Sequence, residues 1–160
     1  PLGVLGYSQG GLVALKAAAA TDMFRFIALW NPVLDPVATY GLILGAGALT
    51  LGAARHRAGS VDGIVGDSGL RPAFFAEVAN ADPIADAAGV AAAVLVLTGR
   101  RDHLVRDGAA LASRLAAGRM ARTAIIDIDA GHDLGAVTDA ALLDDVIACT
   151  ATFVLGDLAP

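Results

Sequence analysis

Short apolar segments alternate with longer helix-like segments along most of this sequence. Four short, mostly apolar runs each stop at a glycine, a proline or a polar turn, as buried strands do; they cover residues 2–6, 26–30, 91–98 and 123–129. Three further stretches, 11–20, 107–117 and 139–155, have the residue types and spacing of helices. Strands and helices that alternate in this way form a parallel sheet with helices on both faces. The pattern therefore predicts an α/β fold with right-handed crossovers.

Residues 35–83 interrupt this alternation, because the stretch is too long for a single crossover helix. It contains an uncharged run, Val37–Ala54, that has about the length of a membrane span, roughly 20 residues, but is broken by four glycines. We expect this segment to form a lid or cap over a site. A membrane span and an ordinary pair of core helices are the alternatives. The domain then consists of 1–34, the lid segment 35–83, and the remaining strands and helices over 84–160.

Composition and charge exclude several classes of protein. Of the 160 residues, 56% are hydrophobic and 17% are charged, which excludes a disordered chain and suits a buried sheet under alanine-rich helices. The net charge of −5, without a basic run, argues against a nucleic-acid partner. The single cysteine, Cys149, cannot form an internal disulfide, and we expect it to be a small buried hydrophobic residue. Since neither a cysteine/histidine cluster nor a nucleotide motif is present, we expect no metal and no cofactor.

The first strand runs directly into Gly6-Tyr7-Ser8-Gln9-Gly10, which fits the pattern G-x-S-x-G between a strand and a helix. So tight a reversal forces Ser8 into a strained backbone conformation and projects its hydroxyl above the sheet. We expect Gly6 and Gly10 to be required, because a side chain at either position would collide with the neighbouring strand or helix. The helix start brings the N–H of Gln9 and the positive end of the helix dipole to a developing oxyanion. The motif indicates a nucleophilic serine; a loop that merely turns the chain is the alternative.

Two downstream segments complete a resemblance to the α/β-hydrolase superfamily of serine hydrolases, whose triad runs in the order serine, acid, histidine on loops that follow strands. The third predicted strand enters residues 98–105, in which a glycine, two arginines and Asp102 resemble the family's acid loop. The fourth enters residues 130–133, Ala-Gly-His-Asp, which are similar to the family's histidine loop. The resemblance implies Ser8 as nucleophile, His132 as general base and Asp102 as the acid that orients the base.

Other residues compete for the acid and base roles. Asp35 lies just past the second strand, where some family members carry their acid, and it is the alternative to Asp102. His103 directly follows the acid and is the alternative base, although we expect it to point away from the site. His56 lies in the predicted lid beside Arg55 and Arg57, where it is expected to be solvated or to contact substrate.

Four residues near the site have less specific interpretations. Asp107 is expected to be a helix N-terminal charge, and Asp133 is expected to be a solvated neighbour of the predicted base. Tyr7 and Trp30 are candidates for substrate contacts. Trp30 fits plain core packing equally well.

The resemblance covers this whole chain but only part of a family domain. The family's sheet has more strands than the four predicted here, so we expect the chain to be the C-terminal portion of one domain that lacks its N-terminal half. The second oxyanion donor would then lie upstream, and Leu2, Val4 and Leu5 would form an open apolar sheet edge. We expect the isolated chain to be poorly soluble and nearly inactive, and the full-length protein to be active.

Together these features predict a serine hydrolase that cleaves a small carboxylic ester or a related acyl substrate through an acyl-Ser8 intermediate. A peptidase or an acyltransferase would use the same triad. A non-catalytic binding module of the same fold is the alternative from a different class. The expected partner is a small-molecule acyl substrate, and we expect neither a nucleic acid nor a membrane to be a partner.

Overall fold

Strands and helices alternate as the sequence predicts in the computed structural model of the protein, which describes residues 2–60, 63–66, 68–117 and 122–158. The strands are β1 (Leu2–Tyr7), β2 (Phe24–Trp30), β3 (Ala93–Gly99) and β4 (Thr123–Ile128). The helices are α1 (Gln9–Ala19), α2 (Pro36–Leu44), α3 (Ala46–Arg57), α4 (Pro72–Asn80), α5 (Pro83–Ala88), α6 (Gly108–Ala117) and α7 (Ala140–Leu158). The predicted α/β fold is confirmed, and the predicted strands and helices are present with ends that differ by a few residues.

All four strands are parallel and lie in the order β1-β2-β3-β4. Tyr7 pairs with Trp30, and Trp30 pairs with Leu97, so the carboxyl ends of these strands meet at one edge of the sheet. The loops that follow the strands therefore project from this same edge.

Helices cover both faces of the sheet, and the strand residues alternate between two cores. On one face, Val94 and Val96 pack in a cluster with residues of α1, α5 and α6. On the other face, Leu95 and Leu97 pack with residues of α7, among them Phe153. Cys149 of α7 is half-buried and packs against this second cluster, rather than being fully buried as expected. Successive side chains of β3 point to opposite faces of the sheet, and helices cover both faces. Every residue from 93 to 98 in this strand is therefore buried.

The two outer positions of the sheet are occupied by β1 and β4, and β1 is the more apolar. Leu2 is 51% exposed and Leu5 is 49% exposed, because β1 pairs only with β2 among the described strands. An exposed apolar edge is a template for association with another strand. The low solubility that we expect of the isolated chain on this ground stays a prediction.

The chain divides into two compact units, which we call unit 1 (residues up to Leu34 and from Pro83 onward) and unit 2 (Asp35–Asp82). Unit 2 contains α2, α3 and α4. Asp35 is the N-cap of α2, and Gly45 separates α2 from α3. Prolines stand in the first turn of α2 and α4, where the missing N–H has no intrahelical partner to lose. The prediction that this segment acts as a lid stays a prediction.

Within the described ranges, no single helix has both the length and the apolarity to cross a bilayer. Helices α2 and α3 meet that test of length and composition only as a pair, and they are bent by 112° at the break between them.

Candidate active site

Ser8 occupies the reversal between β1 and α1, and its backbone has a conformation that non-glycine residues rarely adopt. Its φ is 54° and its ψ is −119°. Hydrogen bonds on both sides hold it there: its N–H donates to the Trp30 carbonyl (2.8 Å), and its carbonyl accepts from the N–H groups of Gly11 (3.0 Å) and Val33 (3.1 Å). The strained turn expected from the G-x-S-x-G motif is present, and the Ser8 hydroxyl lies within hydrogen-bonding distance of His132 in the loop after β4.

Of the two glycines that flank Ser8 in the motif, Gly6 has the role that the sequence predicted and Gly10 does not. A Cβ on Gly6 would lie 2.6 Å from the carbonyl carbon of Gly10 and 2.7 Å from the Cα of Gly11, so Gly6 is required as expected. A Cβ on Gly10 would meet nothing within 4 Å, and the expectation of a collision there is wrong. The close approach is instead at Gly11, whose Cβ would lie 2.7 Å from the Cβ of Pro32. Helix α1 turns Gly10 outward and Gly11 inward.

Asp102 lies in the loop after β3, with its side chain only 1% exposed. Its Oδ1 accepts hydrogen bonds from the N–H groups of Leu104 (2.8 Å) and Val105 (3.0 Å), and its Oδ2 lies 2.7 Å from Nδ1 of His132. Burial by itself raises the pKa of Asp102, but the hydrogen bonds from His132, Val105 and Leu104 outweigh it and hold the pKa below its ordinary value. Asp102 is therefore an ionised carboxylate at neutral pH.

His132 lies in the loop after β4 and joins the other two side chains. Its Nε2 is 2.9 Å from the Ser8 hydroxyl oxygen, and its Nδ1 is 2.7 Å from Asp102. Because the carboxylate of Asp102 can only accept, Nδ1 carries the proton, and Nε2 is left with a lone pair directed at the Ser8 hydroxyl. The structure thus brings together the three predicted residues in the order alcohol, imidazole, carboxylate.

Tyr7 contributes a ring beside this arrangement. Its ring centroid lies 5.2 Å from that of His132, and its side chain is partly exposed. Burial raises the pKa of the Tyr7 phenol, as do the charges of Asp102 and Asp133, so the phenol is neutral at neutral pH. A substrate contact by Tyr7 stays a prediction.

The competing acid and base candidates have other contacts. The Asp35 carboxylate accepts from the N–H of Ala38 (2.9 Å), which makes it the cap of α2. His103 is exposed, and His56 is exposed in the last turn of α3. The imidazole that contacts the Ser8 hydroxyl is that of His132, and the carboxylate that contacts this imidazole is that of Asp102.

The remaining candidates are placed as follows. Asp107 directly precedes α6, as expected of a helix N-terminal charge. Asp133 accepts from the N–H groups of Val137 and Thr138 and from the Thr138 hydroxyl, so it organises the histidine loop and is not merely solvated. The Trp30 indole N–H donates to the Thr150 hydroxyl (3.0 Å), and the ring packs against the second core cluster. These are core contacts, and a substrate contact by Trp30 stays a prediction.

Gln9 is the first residue of α1. Its N–H is therefore one of the N-terminal amides that have no intrahelical carbonyl to bond. A negatively charged oxygen near the Ser8 hydroxyl would also lie at the positive end of the α1 dipole.

Asn31 directly follows β2 and was not among the predicted site residues. The structure places its buried side chain against the loops that carry Asp102 and His132. The available signal was an amide side chain at the carboxyl end of a strand next to the Ser8 strand. That signal is weak, because asparagine is common wherever a strand ends.

The arrangement can activate an alcohol for attack on an acyl carbon and can receive its proton. In the part of the chain that the structure describes, no group of three histidine, cysteine or carboxylate side chains could hold a metal ion.

The sequence matches the prolyl oligopeptidase family over residues 1–155. No curated protein sequence matches it. Two similar solved structures are a Pyrococcus furiosus esterase (TM-score 0.64, 16% identity, 98% of this chain and 53% of that chain) and a Paleococcus ferrophilus monoacylglycerol lipase (TM-score 0.68, 16% identity, 97% of this chain and 68% of that chain). A third is a Pyrococcus horikoshii acylaminoacyl peptidase (TM-score 0.56, 16% identity, 84% of this chain and 20% of that chain).

The chain spans about half of the esterase and a fifth of the peptidase. At this level of identity the similarity concerns the fold, which is part of the α/β-hydrolase architecture. Because the family match extends over nearly the whole sequence, the chain belongs to the prolyl oligopeptidase family, and the predicted membership of the α/β-hydrolase superfamily of serine hydrolases is confirmed.

Proposed function

We propose that this chain carries the catalytic triad of a serine hydrolase and that the protein cleaves a small carboxylic ester or a related acyl substrate. One observation supports the proposal above the others. The Ser8 hydroxyl, the His132 imidazole and the Asp102 carboxylate form one continuous line of hydrogen bonds, with contacts of 2.9 and 2.7 Å. A serine hydroxyl with no adjacent base is a poor nucleophile, and this line supplies both a base and the group that orients the base.

In the first step, the Ser8 oxygen attacks the acyl carbon of the substrate while Nε2 of His132 takes the hydroxyl proton. The bond that forms is Oγ–C, and the carbonyl π electrons move onto the substrate oxygen. Asp102 stays ionised and stabilises the imidazolium through Nδ1, which the lowered pKa of Asp102 allows.

The resulting oxyanion is stabilised by the N–H of Gln9 at the start of α1. The family resemblance implies a second donor from a loop upstream of this chain. Loss of one such donor costs roughly 10²–10³ in kcat. This is the physical reason for expecting little activity from the chain alone.

When the intermediate collapses, the bond to the leaving alcohol breaks and His132 returns the proton to that oxygen. The product is an acyl ester on Ser8. Water then attacks the same carbon while His132 takes one of its protons. The bond between that carbon and the Ser8 Oγ breaks, His132 returns the proton to Oγ, and the carboxylic acid leaves.

A fluorophosphonate probe, which phosphonylates an activated serine, tests the proposal on the full-length protein. We expect labelling of the native protein and none of Ser8→Ala. Ser113→Ala is the matched control, because the exposed Ser113 hydroxyl on α6 bonds only a carbonyl of its own helix and labelling should be unchanged. Labelling of Ser8→Ala at the native rate would reject Ser8 as the nucleophile. No labelling of the native protein would instead favour a non-catalytic module.

A peptidase is the second candidate, and the family match favours it, since that family is named for an oligopeptidase. The same triad serves both reactions, and the leaving group alone differs. Turnover of a p-nitrophenyl ester and of an N-acylated amino-acid p-nitroanilide with the same acyl group separates them. A kcat/KM for the anilide equal to or above that of the ester would establish the peptidase and overturn the ester proposal.

A further inference from the structure

Asn31 directly follows β2, and its side chain is buried and hydrogen-bonded to two other loops. The residue is 2% exposed. Its Oδ1 accepts from the N–H of Gly99 (2.7 Å), at the start of the acid loop. Its Nδ2 donates to the carbonyls of Gly131 (3.1 Å) and His132 (2.9 Å), in the histidine loop. One amide group therefore connects loops that follow two different strands.

The same turn also contacts the nucleophile. The Asn31 N–H donates to the Leu97 carbonyl of β3 (2.8 Å). Residues on either side of Asn31 bond the Ser8 backbone, since the Trp30 carbonyl accepts the Ser8 N–H and the Val33 N–H donates to the Ser8 carbonyl. The turn after β2 is thus bonded to the backbones that carry Ser8 and His132 and to the start of the loop that carries Asp102.

Gly99 allows Asn31 to reach the histidine loop across the end of β3. A Cβ on Gly99 would lie 2.6 Å from the Ala130 carbonyl oxygen and 2.8 Å from the Gly131 carbonyl oxygen. The histidine loop therefore closes over a glycine, and the N–H of Arg101 donates to Ala130 in the same region (2.9 Å).

The residue type at position 31 fits these contacts closely. Its φ is 41°, a left-handed conformation that asparagine adopts more readily than most residues. The three bonds need one acceptor and two donors from a single short side chain, which a neutral amide supplies. A carboxylate of the same shape would keep the acceptor and place negative charge against two carbonyl oxygens.

We propose that Asn31 is a positioning residue, which fixes the distance between the His132 imidazole and the Ser8 hydroxyl by holding the backbone of the histidine loop. The proposal rests on the proposed function. None of the hydrogen bonds described for Asn31 ends on the side chain of Ser8, His132 or Asp102, so it acts on kcat through the placement of His132. A misplacement of about 1 Å in a reacting group costs as much as 10²-fold in rate.

Two variants of the full-length protein distinguish the hydrogen bond that Asn31 accepts from Gly99 from the two that it donates to the histidine loop. Asn31→Gly keeps the left-handed backbone without strain and removes all three side-chain bonds. Asn31→Asp keeps the shape and the acceptor and loses both donors to the histidine loop. We expect each to lower kcat about 10- to 100-fold with KM within about threefold of native, and the rate of fluorophosphonate labelling of Ser8 to fall in parallel. Rates are taken per folded molecule, by circular dichroism, so that reduced folding does not count as reduced rate.

Thr150→Val is the matched control. The substitution removes a partly buried hydrogen bond to Trp30, the residue next to Asn31, and none of the hydrogen bonds described for Thr150 ends on the acid or histidine loop. We expect it to lower stability and to leave kcat within about twofold of native. The proposal is overturned by native kcat in both Asn31 variants, or by an equal loss of kcat in Thr150→Val. Failure of the proposed function is recognised separately, because Ser8→Ala would then keep its activity.

Discussion

The two units of this molecule differ in which residues adopt a positive φ, because, of the residues that the structure describes, only unit 1 places non-glycine ones in this conformation, in addition to Gly135. Among the described residues, every non-glycine residue with a positive φ lies in unit 1; these are Ser8, Asn31, Asp107 and Leu134. The residues with a positive φ in unit 2 are all glycines, namely Gly45, Gly59, Gly63, Gly66 and Gly69. Glycine takes this conformation without strain, whereas another residue must be held in it by its surroundings.

The strained positions of unit 1 each belong to a connection after a different strand. Ser8 follows β1, Asn31 follows β2, Asp107 ends the loop after β3, and Leu134 lies in the loop after β4. Such a conformation costs about 1–3 kcal/mol per residue and persists only where surrounding contacts hold the residue in it. Ser8 and Asn31 have hydrogen bonds that do so, and Leu134 is completely buried in the second core cluster.

The comparison indicates that unit 1 maintains a fixed geometry at the carboxyl edge of its sheet, while the turns of unit 2 need no such support. Unit 2 instead exposes apolar side chains on α2 and α3; Leu42, Ile43 and Leu51 are 45%, 50% and 50% exposed. Substitutions of the unit 1 residues that hold this edge should therefore affect the chemical step, whereas substitutions in unit 2 should leave it unchanged.

The largest difference between the two units is expected in the effect on kcat of replacing one aspartate in each. Asp102→Asn in unit 1 keeps the shape of the side chain but no longer holds His132 in the required tautomer, so kcat of the full-length protein should fall about 10⁴-fold. Asp35→Asn in unit 2 keeps a good N-cap residue for α2 and should leave kcat unchanged. Steady-state kinetics of both variants decides the acid, and the reverse result would assign the role to Asp35.

A smaller difference is expected in how the replacement of individual glycines changes the free energy of unfolding. Gly6→Ala places a methyl group against the backbone of Gly10 and Gly11, so the free energy of unfolding should fall by about 1–3 kcal/mol. Gly10→Ala and, in unit 2, Gly47→Ala meet nothing within 4 Å in helices and should be neutral or stabilise by up to about 1 kcal/mol. Urea unfolding of the three variants measures this. Equal stabilities would mean that the elbow can relax around a side chain.

The smallest effect is expected in how the free energy of unfolding changes at low pH. Asp102 has a lower pKa in the folded protein than the ordinary value of 3.8, so its ionised form stabilises the fold. That contribution is fully present above about pH 4 and is lost as the pH falls through the lowered pKa. Unfolding free energies measured from pH 6 downward should therefore decrease less steeply below pH 4 in Asp102→Asn than in the native protein or in Asp35→Asn. Parallel curves for all three proteins would contradict this origin of the acid sensitivity.

The catalytic candidates were predictable because they belong to short local patterns. Ser8, Asp102 and His132 each follow an apolar run that the sequence marks as a strand, and parallel strands bring their carboxyl ends to one edge. Asn31 follows a strand in the same way, but its partners are Gly99, Gly131 and His132, which are 68 to 101 positions away in the sequence. No local pattern encodes such a contact.

Unit 2 and the glycines were harder to interpret for related reasons. Glycines and alanines are spread along the uncharged run from Val37, so its hydrophobic residues show no clear helical period. The sequence pattern therefore could not distinguish a pair of helices, as the structure has, from a lid or a membrane span. The G-x-S-x-G pattern marks both flanking glycines alike. Only the packing of α1 against Pro32 distinguishes the crowded Gly11 from the open Gly10.

The sequence by itself determined the alternation of strands and helices and the parallel sheet, because hydrophobic period and turn residues are local properties of the chain. The order of the three candidate catalytic residues followed from the resemblance of their short local motifs to those of the α/β-hydrolase superfamily. Only the tertiary structure decided which carboxylate meets His132, which glycine must lack a side chain and what Asn31 bonds. Those outcomes depend on distances between segments far apart in sequence, and such distances are set when the strands pair and their loops pack together.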